Sequence, residues 1–312
     1  MKLFRLFFAV LFMAVSCGST VDPDNQGQGG RPGGQTGNGE GGGSSPDTPA
    51  REEGALIADG NDEGTYDLIL SSGYNYETPD YSGAHASDPF RHIRQSYDDR
   101  LGKYVFDFYL HIENDDDRGK PDIRDRQRNE IKTDAKSPES MVARKGETLR
   151  MTWKFRLPDG MKTTTKFAHI HQLKGIDNSE GTADVDMPLI TYTVRSTSSG
   201  GQQFQVIYVG PSPSSNTYLA KVDLGDFLGE WVEAEETVRF DDNGSYDLSI
   251  TRLADGKELV SVSRSGISFW REGTVGMRPK WGLYRNFGDN GSLKPELRDE
   301  ILKFADFKIE KL

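Results

Sequence analysis

Three short segments of the chain combine charged and aromatic side chains with the alternation expected of β-strands. They are 128–132 (Arg-Asn-Glu-Ile-Lys), 169–174 (His-Ile-His-Gln-Leu-Lys) and 280–286 (Lys-Trp-Gly-Leu-Tyr-Arg-Asn). Because alternate residues of an extended strand point to the same side, each segment has one polar face and one mainly apolar face. A face of Arg, Lys, His and Tyr side chains could bind an anionic substrate and move protons on it. The residues predicted to share this face are Arg128, Glu130, Lys132, His169, His171, Lys280, Tyr284 and Asn286.

Alternation between apolar and polar residues also dominates the chain outside these segments, whereas a helical period is scarce. Joined by Gly, Asn and Asp turns, such strands predict an all-β fold, a jelly-roll β-sandwich of the concanavalin A-like type. One sheet of such a sandwich can curve, so we expect a concave sheet that binds the substrate. The alternating runs are 104–112, 149–157, 204–209, 237–240, 246–253 and 304–309, and the best helical turn is 223–228.

The N-terminal sequence has the features of a secretory signal. A basic start precedes an apolar run at 6–15, and small residues surround Cys17, which is the only cysteine. Because a bacterial lipoprotein signal places its acylated cysteine at such a position, we expect residues 1–17 to be a signal peptide that ends at a lipid anchor on Cys17. The protein would then be exported and would face the periplasm or the cell exterior. Ala14 stands where such signals usually have Leu, so soluble export after ordinary cleavage is the alternative.

Composition divides the remainder into a tether and one folded domain. Residues 18–55 are rich in Gly, Pro and Ser, and they cannot bury enough apolar surface to offset their ordering entropy. We expect this segment to be disordered, and 56–312 to form a monomeric jelly-roll domain. The net charge of -11 argues against a nucleic-acid partner. Basic residues nevertheless gather around the three polar segments, which indicates an acidic ligand.

At these three segments the chain resembles the jelly-roll polysaccharide lyases, which include alginate lyases and similar glucuronan, ulvan and heparin-type lyases. Alginate lyases carry an Arg-x-Glu-x-Arg strand, a Gln-Ile-His strand and a Tyr-Phe-Lys-Ala-Gly-Val-Tyr-Asn-Gln strand, and 128–132, 169–171 and 280–286 are similar to them in the same order. Two positions differ, because His169 stands in place of the Gln and Lys132 in place of the closing Arg. Both replacements keep a hydrogen-bond donor, but they weaken the assignment of alginate itself as the substrate.

The resemblance implies cleavage of a uronate polymer by β-elimination. Such an enzyme removes the proton at C5, beside the carboxylate, and expels the oxygen at C4, so cations must stabilise the charge that develops on the carboxylate. Arg128 and His169 are the candidates for that task. The family pattern assigns the base and acid to His171 and Tyr284, and nearby cations are expected to lower the pKa of Tyr284. The residues predicted to bind substrate or orient these groups are Lys132, Glu130, Lys280, Asn286 and Lys174.

No step of this scheme requires a metal ion or an organic cofactor. The acidic run at 113–117 lacks the ligand spacing of a calcium loop. We therefore predict a solvated loop there and no metal site, with a structural calcium ion as an open alternative that the sequence does not indicate.

Two other functions remain open. A non-catalytic, lipid-anchored carbohydrate-binding protein could use the same basic groove. A glycoside hydrolase on the same sandwich fold would need paired carboxylates about 5–5.5 Å apart. The Glu-x-Asp-x-x-Glu strand of the similar sandwich hydrolases does not occur in the sequence, which makes the hydrolase the weaker alternative.

Overall fold

A computed structural model describes residues 52–211 and 216–312 of the chain. In these residues, two antiparallel β-sheets pack face to face. The predicted signal peptide, Cys17 and nearly all of the predicted tether lie outside the described residues. Ala55, which we assigned to the tether, already pairs with Lys308 in the first strand. The described residues therefore confirm the predicted β-sandwich jelly roll.

The elements alternate between long strands and short turns. The strands are β1 (Ala55–Leu56), β2 (Asn75–Glu77), β3 (Ile93–Asp98), β4 (Lys103–Leu110), β5 (Arg126–Lys132), β6 (Thr148–Arg156), β7 (Ala168–Ile176), β8 (Ile190–Ser196), β9 (Gln202–Val209), β10 (Asn216–Asp223), β11 (Trp231–Arg239), β12 (Gly244–Arg252), β13 (Glu258–Ile267), β14 (Gly276–Asn286) and β15 (Glu300–Lys311). The described α-helix is α1 (Thr65–Ser71), and the 3-10 turns are Gly83–His85, Glu139–Met141, Leu224–Asp226, Asp289–Gly291 and Lys294–Glu296. Within the described ranges, no helix combines the length and the apolar character that crossing a bilayer requires.

Each sheet is built from strands that are distant in sequence. Sheet A has the order β13-β12-β11-β6-β15-β4-β3, with β1 also paired to β15, and sheet B has the order β10-β9-β8-β7-β14-β5-β2. The three polar segments of the sequence lie in β5, β7 and β14. They are adjacent in sheet B, with β14 in the middle, so the topology brings these segments together.

The core fills the space between the two sheets. Strand β6 alternates perfectly, with Leu149, Met151, Trp153 and Phe155 buried and the residues between them partly exposed. The ring of Trp153 meets that of Trp281 from sheet B in an edge-to-face contact with centroids 5.6 Å apart. Burying each large apolar side chain of this kind contributes roughly 1.5–3 kcal/mol, so the alternation itself specifies which side of each strand faces inward.

A buried polar contact also ties the two sheets together. Glu236 of sheet A accepts hydrogen bonds from the hydroxyls of Tyr192 at 2.9 Å and Tyr246 at 2.7 Å. Its other oxygen lies 2.9 Å from Nε2 of His171, which belongs to sheet B. All four side chains are fully buried. His171 is therefore part of the core.

The burial of His171 corrects a prediction made from strict alternation. His169 pairs with Thr193 of β8, but His171 pairs with the neighbouring residue Tyr192, so β7 carries one extra residue between the two histidines. Such a bulge re-aims the side chains on either side of it. His169 consequently lies on the outer face of sheet B and His171 on the inner face, and the expectation that they share a face is wrong.

Two further elements differ from the sequence prediction. Helix α1 was not predicted, because its seven residues are too few to display a helical period and no side chain caps its N-terminus. Strand β11 begins at Trp231, six residues before the alternating run that we recognised at 237–240. The predicted turn at 223–228 contains the 3-10 turn Leu224–Asp226.

We expect His171→Ala to lower the free energy of unfolding by about 3–5 kcal/mol, because it removes one partner of a fully buried ionisable pair and leaves Glu236 without it. Urea denaturation followed by tryptophan fluorescence measures this change. The matched control is His169→Ala, which alters a half-buried histidine on the same strand and should cost no more than about 1 kcal/mol. Equal losses in the two variants would contradict the assignment of His171 to the core.

Candidate active site

The register of sheet B places a guanidinium, a phenol and an imidazole in one row across three strands. Tyr284 of β14 lies opposite Arg128 of β5 on one side and opposite His169 of β7 on the other. His169 in turn lies opposite Thr193 of β8. Groups that are far apart in sequence thus meet on the outer face of the sheet.

The side chain of Tyr284 contacts two arginines and two rings. The Arg128 guanidinium carbon lies 3.8 Å from the centroid of its ring, and Nη1 of Arg126 donates a 2.9 Å hydrogen bond to its hydroxyl oxygen. The rings of Phe167 and His169 lie 5.1 and 6.1 Å from it, centroid to centroid. The phenol is therefore fixed in position while part of it remains exposed.

The pKa of Tyr284 is shifted in the direction opposite to our expectation. Burial raises its pKa above the ordinary value of 10, and the nearby guanidinium groups of Arg128 and Arg126 only partly oppose that effect. The charge of Asp117 adds to the increase. Tyr284 therefore carries its proton at neutral pH, so it can donate a proton and is not a ready base.

The imidazole of His169 is neutral at pH 7. Burial lowers its pKa to about 3, and the positive charges of Arg195 and Arg128 contribute to the decrease. Its Nδ1 lies 2.8 Å from Oγ1 of Thr193, and its ring stacks on that of Phe167 with centroids 4.5 Å apart. When Nδ1 donates to Thr193, the lone pair is on Nε2. The imidazole is therefore neutral at pH 7, with Nε2 as its proton-accepting atom. Its low pKa makes it a weak base in the free protein, and the negative charge of a bound carboxylate would raise that pKa and strengthen the base.

Beneath this row, one carboxylate gathers the cations of the site. Burial alone would raise the pKa of Glu77, but the surrounding positive charges hold it well below its ordinary range. Glu77 is thus a permanent anion under the sheet surface. Its carboxylate oxygens lie 2.7 Å from Lys280 Nζ, 2.8 Å from Lys132 Nζ, 2.9 Å from Arg128 Nη1 and 3.0 Å from Arg118 Nη1.

Two more carboxylates complete this charge network. Glu130 lies 3.3 Å from Arg128 Nη1 and accepts a short hydrogen bond from Gln172. Asp117 lies 2.9 Å from Nε of Arg128 and 3.1 Å from Nε of Arg118. Four basic side chains thus share three carboxylates beneath Tyr284. Burial lowers the pKa of one of them, Lys280, and the carboxylate of Glu77 opposes that decrease.

This network changes the roles that we predicted for several residues. Arg128, Lys132 and Lys280 are at most 6% exposed, so they lie beneath the surface instead of contacting a polymer chain directly. Lys174 is also buried, at 6% exposed, and lies opposite Arg278 in the ladder. Glu130 is completely buried, in keeping with the prediction that it orients a cation.

The cations at the surface of the site come from other positions. Arg126 forms a two-point contact with Asp125, at 2.7 Å for each nitrogen–oxygen pair, and Asn286 donates to the same carboxylate at 2.8 Å. Arg195 lies two residues beyond Thr193, and its Nε has no hydrogen-bond partner within the described ranges. Both arginine residues are partly exposed. They are the better candidates for contact with a substrate carboxylate.

Gly282 permits the close approach of β5 and β14 at this point. Its φ is +146°, and a Cβ placed there would lie 2.1 Å from the carbonyl oxygen of Asn129. Any side chain at this position would push the two strands apart. Because Lys280 and Tyr284 flank it on the same face, the glycine also leaves room between the buried cation and the phenol.

Sequence reasoning missed five residues of the site. Continuing the alternation of β5 one step back from Arg128 would have found Arg126. The acidic run at 113–117 was predicted to be solvated, but Asp115 and Asp117 are only 4% and 2% exposed. Glu77 and Arg195 carry no local signal, because their partners are distant in sequence. The five missed residues are Glu77, Asp117, Arg118, Arg126 and Arg195.

We expect Glu77→Gln to lower the free energy of unfolding by about 3–5 kcal/mol, because it leaves buried cations without their shared counterion. Chemical denaturation measures this loss. The control Glu63→Gln removes an exposed carboxylate from the turn before α1 and should change stability by no more than about 0.5 kcal/mol. A Glu77→Gln protein as stable as this control would show that the cations do not need the anion.

Comparisons with known proteins bear on the fold. No family model and no curated protein sequence matches this chain. A marine PL-14 alginate lyase from Aplysia kurodai has a similar structure, with a TM-score of 0.53, 10% identity, and coverage of 83% of this chain and 98% of that one. The family 7 alginate lyase A1-II′, in complex with a GGMG substrate, aligns with a TM-score of 0.50 and 17% identity over 80% of this chain and 95% of its own. The predicted resemblance is confirmed at the level of the fold, which is that of the jelly-roll polysaccharide lyases.

Proposed function

We propose that this protein is a polysaccharide lyase that cleaves a uronic-acid-containing polymer by β-elimination. The observation that carries the proposal is the row in which the neutral imidazole of His169 lies beside the protonated phenol of Tyr284. The similarity of the fold to alginate lyases supports it. The chemistry of the row determines what each group would do.

β-Elimination requires a base for the C5 proton and an acid for the leaving oxygen at C4. His169 is the base in this proposal, because its imidazole is neutral and lies on the outer face. Tyr284 is the acid, because burial keeps its hydroxyl protonated. The C5 proton passes to Nε2 of His169, the C4–O bond breaks as Tyr284 protonates the oxygen, and a C4=C5 double bond remains in the product.

This scheme replaces the proton-transfer role that the resemblance implied for His171. That residue is fully buried and faces the core. His169, which we expected to help neutralise the carboxylate, takes the base role instead. Transfer of the C5 proton to the neutral imidazole of His169 leaves the electron pair of the C5–H bond on the substrate and produces an imidazolium, which places a positive charge beside the developing anion.

The charge on the substrate carboxylate needs cations close to it in the transition state. Arg126 and Arg195 are positioned to supply them, since both are partly exposed near the row. After Tyr284 gives up its proton, the phenolate remains stabilised by the hydrogen bond from Arg126 and by Arg128 beneath the ring. The buried cations thus act on the catalytic phenol, whereas the exposed cations act on the substrate.

The proposal includes the class of substrate and the location of the protein. An acidic polysaccharide suits the guanidinium groups at the surface, and alginate, glucuronan, ulvan and heparin-like chains all supply a uronate. The N-terminal sequence supports export and lipid anchoring through Cys17. In this proposal the lyase domain acts as a monomer. A hydrolase is disfavoured because Glu77, Glu130 and Asp117 are each paired with cations beneath the surface.

Tyr284→Phe should reduce kcat by about 10²–10⁴-fold, because the acid that protonates the leaving oxygen is lost. The assay is the ultraviolet absorbance of the unsaturated uronate that elimination leaves at each new chain end, on a panel of alginate, glucuronan, ulvan and heparin. Tyr97→Phe is the matched control, since this tyrosine is 55% exposed and belongs to sheet A. It should retain full activity.

Two results of this assay would count against the proposal. A Tyr284→Phe protein with the wild-type rate would remove the phenol from the reaction. The second result is that the wild-type protein gives no unsaturated product from any polymer of the panel. If the wild-type protein nevertheless binds one of these polymers, a carbohydrate-binding function is supported instead.

The protonation states predict an unusual pH profile. With the pKa of His169 lowered to about 3 and that of Tyr284 raised above 10, both groups keep the required form across the neutral range. We expect kcat/KM to be nearly constant between about pH 5 and pH 9. An increase of about tenfold per pH unit over this range would show that the Tyr284 phenolate is the base.

A further inference from the structure

Three of the five histidines of the chain converge with one aspartate away from the candidate active site. His85 ends a 3-10 turn, His92 directly precedes β3, and His111 directly follows β4. Asp115 lies four residues beyond His111. One ligand-type atom from each of these side chains lies within 4.8 Å of the corresponding atoms of the other three.

The distances within this cluster are close to those of a coordination shell. Asp115 Oδ1 lies 3.0 Å from His92 Nε2 and 3.1 Å from His85 Nε2, and Asp115 Oδ2 lies 3.3 Å from His111 Nδ1. A tetrahedral zinc ion with bonds of about 2.0–2.2 Å holds its ligand atoms roughly 3.3 Å apart. Small side-chain rotations would therefore be enough to place all four atoms around one ion.

Burial shows that these groups are not solvated surface residues. His92 and Asp115 are 0% and 4% exposed. Nδ1 of His111 is also buried and makes no hydrogen bond in the described part of the chain, although Asp115 Oδ2 lies 3.3 Å from it. A buried polar atom without a partner costs about 1–3 kcal/mol, and coordination of an ion would remove that cost.

The surroundings of the cluster orient its ligands. Asp80 Oδ1 lies 2.9 Å from Nδ1 of His92, so Nε2 of that ring points to the cluster, as in carboxylate–histidine–metal arrangements. Asp80 is itself fixed by the hydroxyl of Tyr66 at 2.9 Å. The ring of Phe90 packs against all three histidine rings, with centroids 4.9–5.6 Å apart.

We infer that His85, His92, His111 and Asp115 form a binding site for one divalent transition-metal ion of the zinc type. Three imidazoles and one carboxylate suit such an ion, whereas calcium and magnesium prefer a shell of oxygen atoms. Four protein ligands make a closed site, which is typical of a structural ion. The inference departs from our sequence-based prediction of no metal site.

The position of the site explains what a bound ion would stabilise. Asp115 is followed by Asp117 and Arg118, which contact Arg128 and Glu77 in the buried charge network. Fixing Asp115 therefore fixes the loop that carries these two residues. The ion would support the site through the loop and would take no part in proton transfer.

The test is a titration of the full chain, freed of metal with a chelator, with zinc chloride in competition with a chromophoric chelator. We expect one zinc ion per chain, bound with a rise in melting temperature. His85→Ala and His111→Ala each remove a ligand that is not fully buried, and should weaken binding about tenfold or more, as should Asp80→Asn. His169→Ala is the control, because it removes a histidine outside the cluster and should leave the stoichiometry at one.

The absorption spectrum of the wild-type chain loaded with cobalt(II) is a second measurement, which does not require any variant to fold. A tetrahedral site gives intense visible d–d absorption, whereas an octahedral surface site gives weak bands. Failure of the wild-type chain to bind zinc, unchanged affinity in both histidine variants, or a weak octahedral cobalt spectrum would each overturn the inference.

Discussion

Glu77 is the carboxylate on which the candidate site depends. Four cationic nitrogens lie within 3.0 Å of its oxygens, and like charges that gather around one group repel one another in a poorly hydrated environment. Without this anion, burial of Arg128 and the two lysines beside it would be strongly unfavourable. Because β2 delivers Glu77 by pairing with β5 at the edge of sheet B, the position of an edge strand determines whether the guanidinium under Tyr284 can remain there.

Burial divides the cations of the site into two groups with different effects. Arg128 is enclosed by carboxylates, and its guanidinium packs against the aromatic ring of Tyr284, 3.8 Å away, beneath the surface. Arg126 and Arg195 are partly exposed and can respond to an anion that arrives from solvent. Tyr284 lies between the two groups of cations. Its ring packs on the buried Arg128, and its hydroxyl accepts a hydrogen bond from the partly exposed Arg126. A phenol held in this way is desolvated enough to stay protonated, yet its conjugate anion is stabilised once it forms.

Alternation was sufficient to predict the sandwich, because period-two burial is a local property of each strand. The meeting of β5, β7 and β14 is not local, and its prediction depended on the resemblance of the three segments to lyase strands. It was not sufficient for His169 and His171, since a bulge inserts one residue and nothing in His-Ile-His signals it. The expected pKa of Tyr284 was wrong for a related reason, because sequence spacing shows which charges are near but not how deeply a group is buried. Glu77 could not be found at all, since its partners lie 41 to 203 residues away.

Strand β5 connects the candidate site to the histidine cluster through its two faces. Its outer face carries Arg128 beneath the phenol, while its inner face carries amide side chains that hold the backbone of the cluster. Asn129 donates to the carbonyl oxygen of His92 at 2.9 Å, and Gln127 donates to that of His111 at 3.0 Å. A shift of β5 would therefore move both groups of residues together. The geometry of the candidate site thus depends on contacts made behind the sheet, which is why a site on one strand face cannot be understood from that face alone.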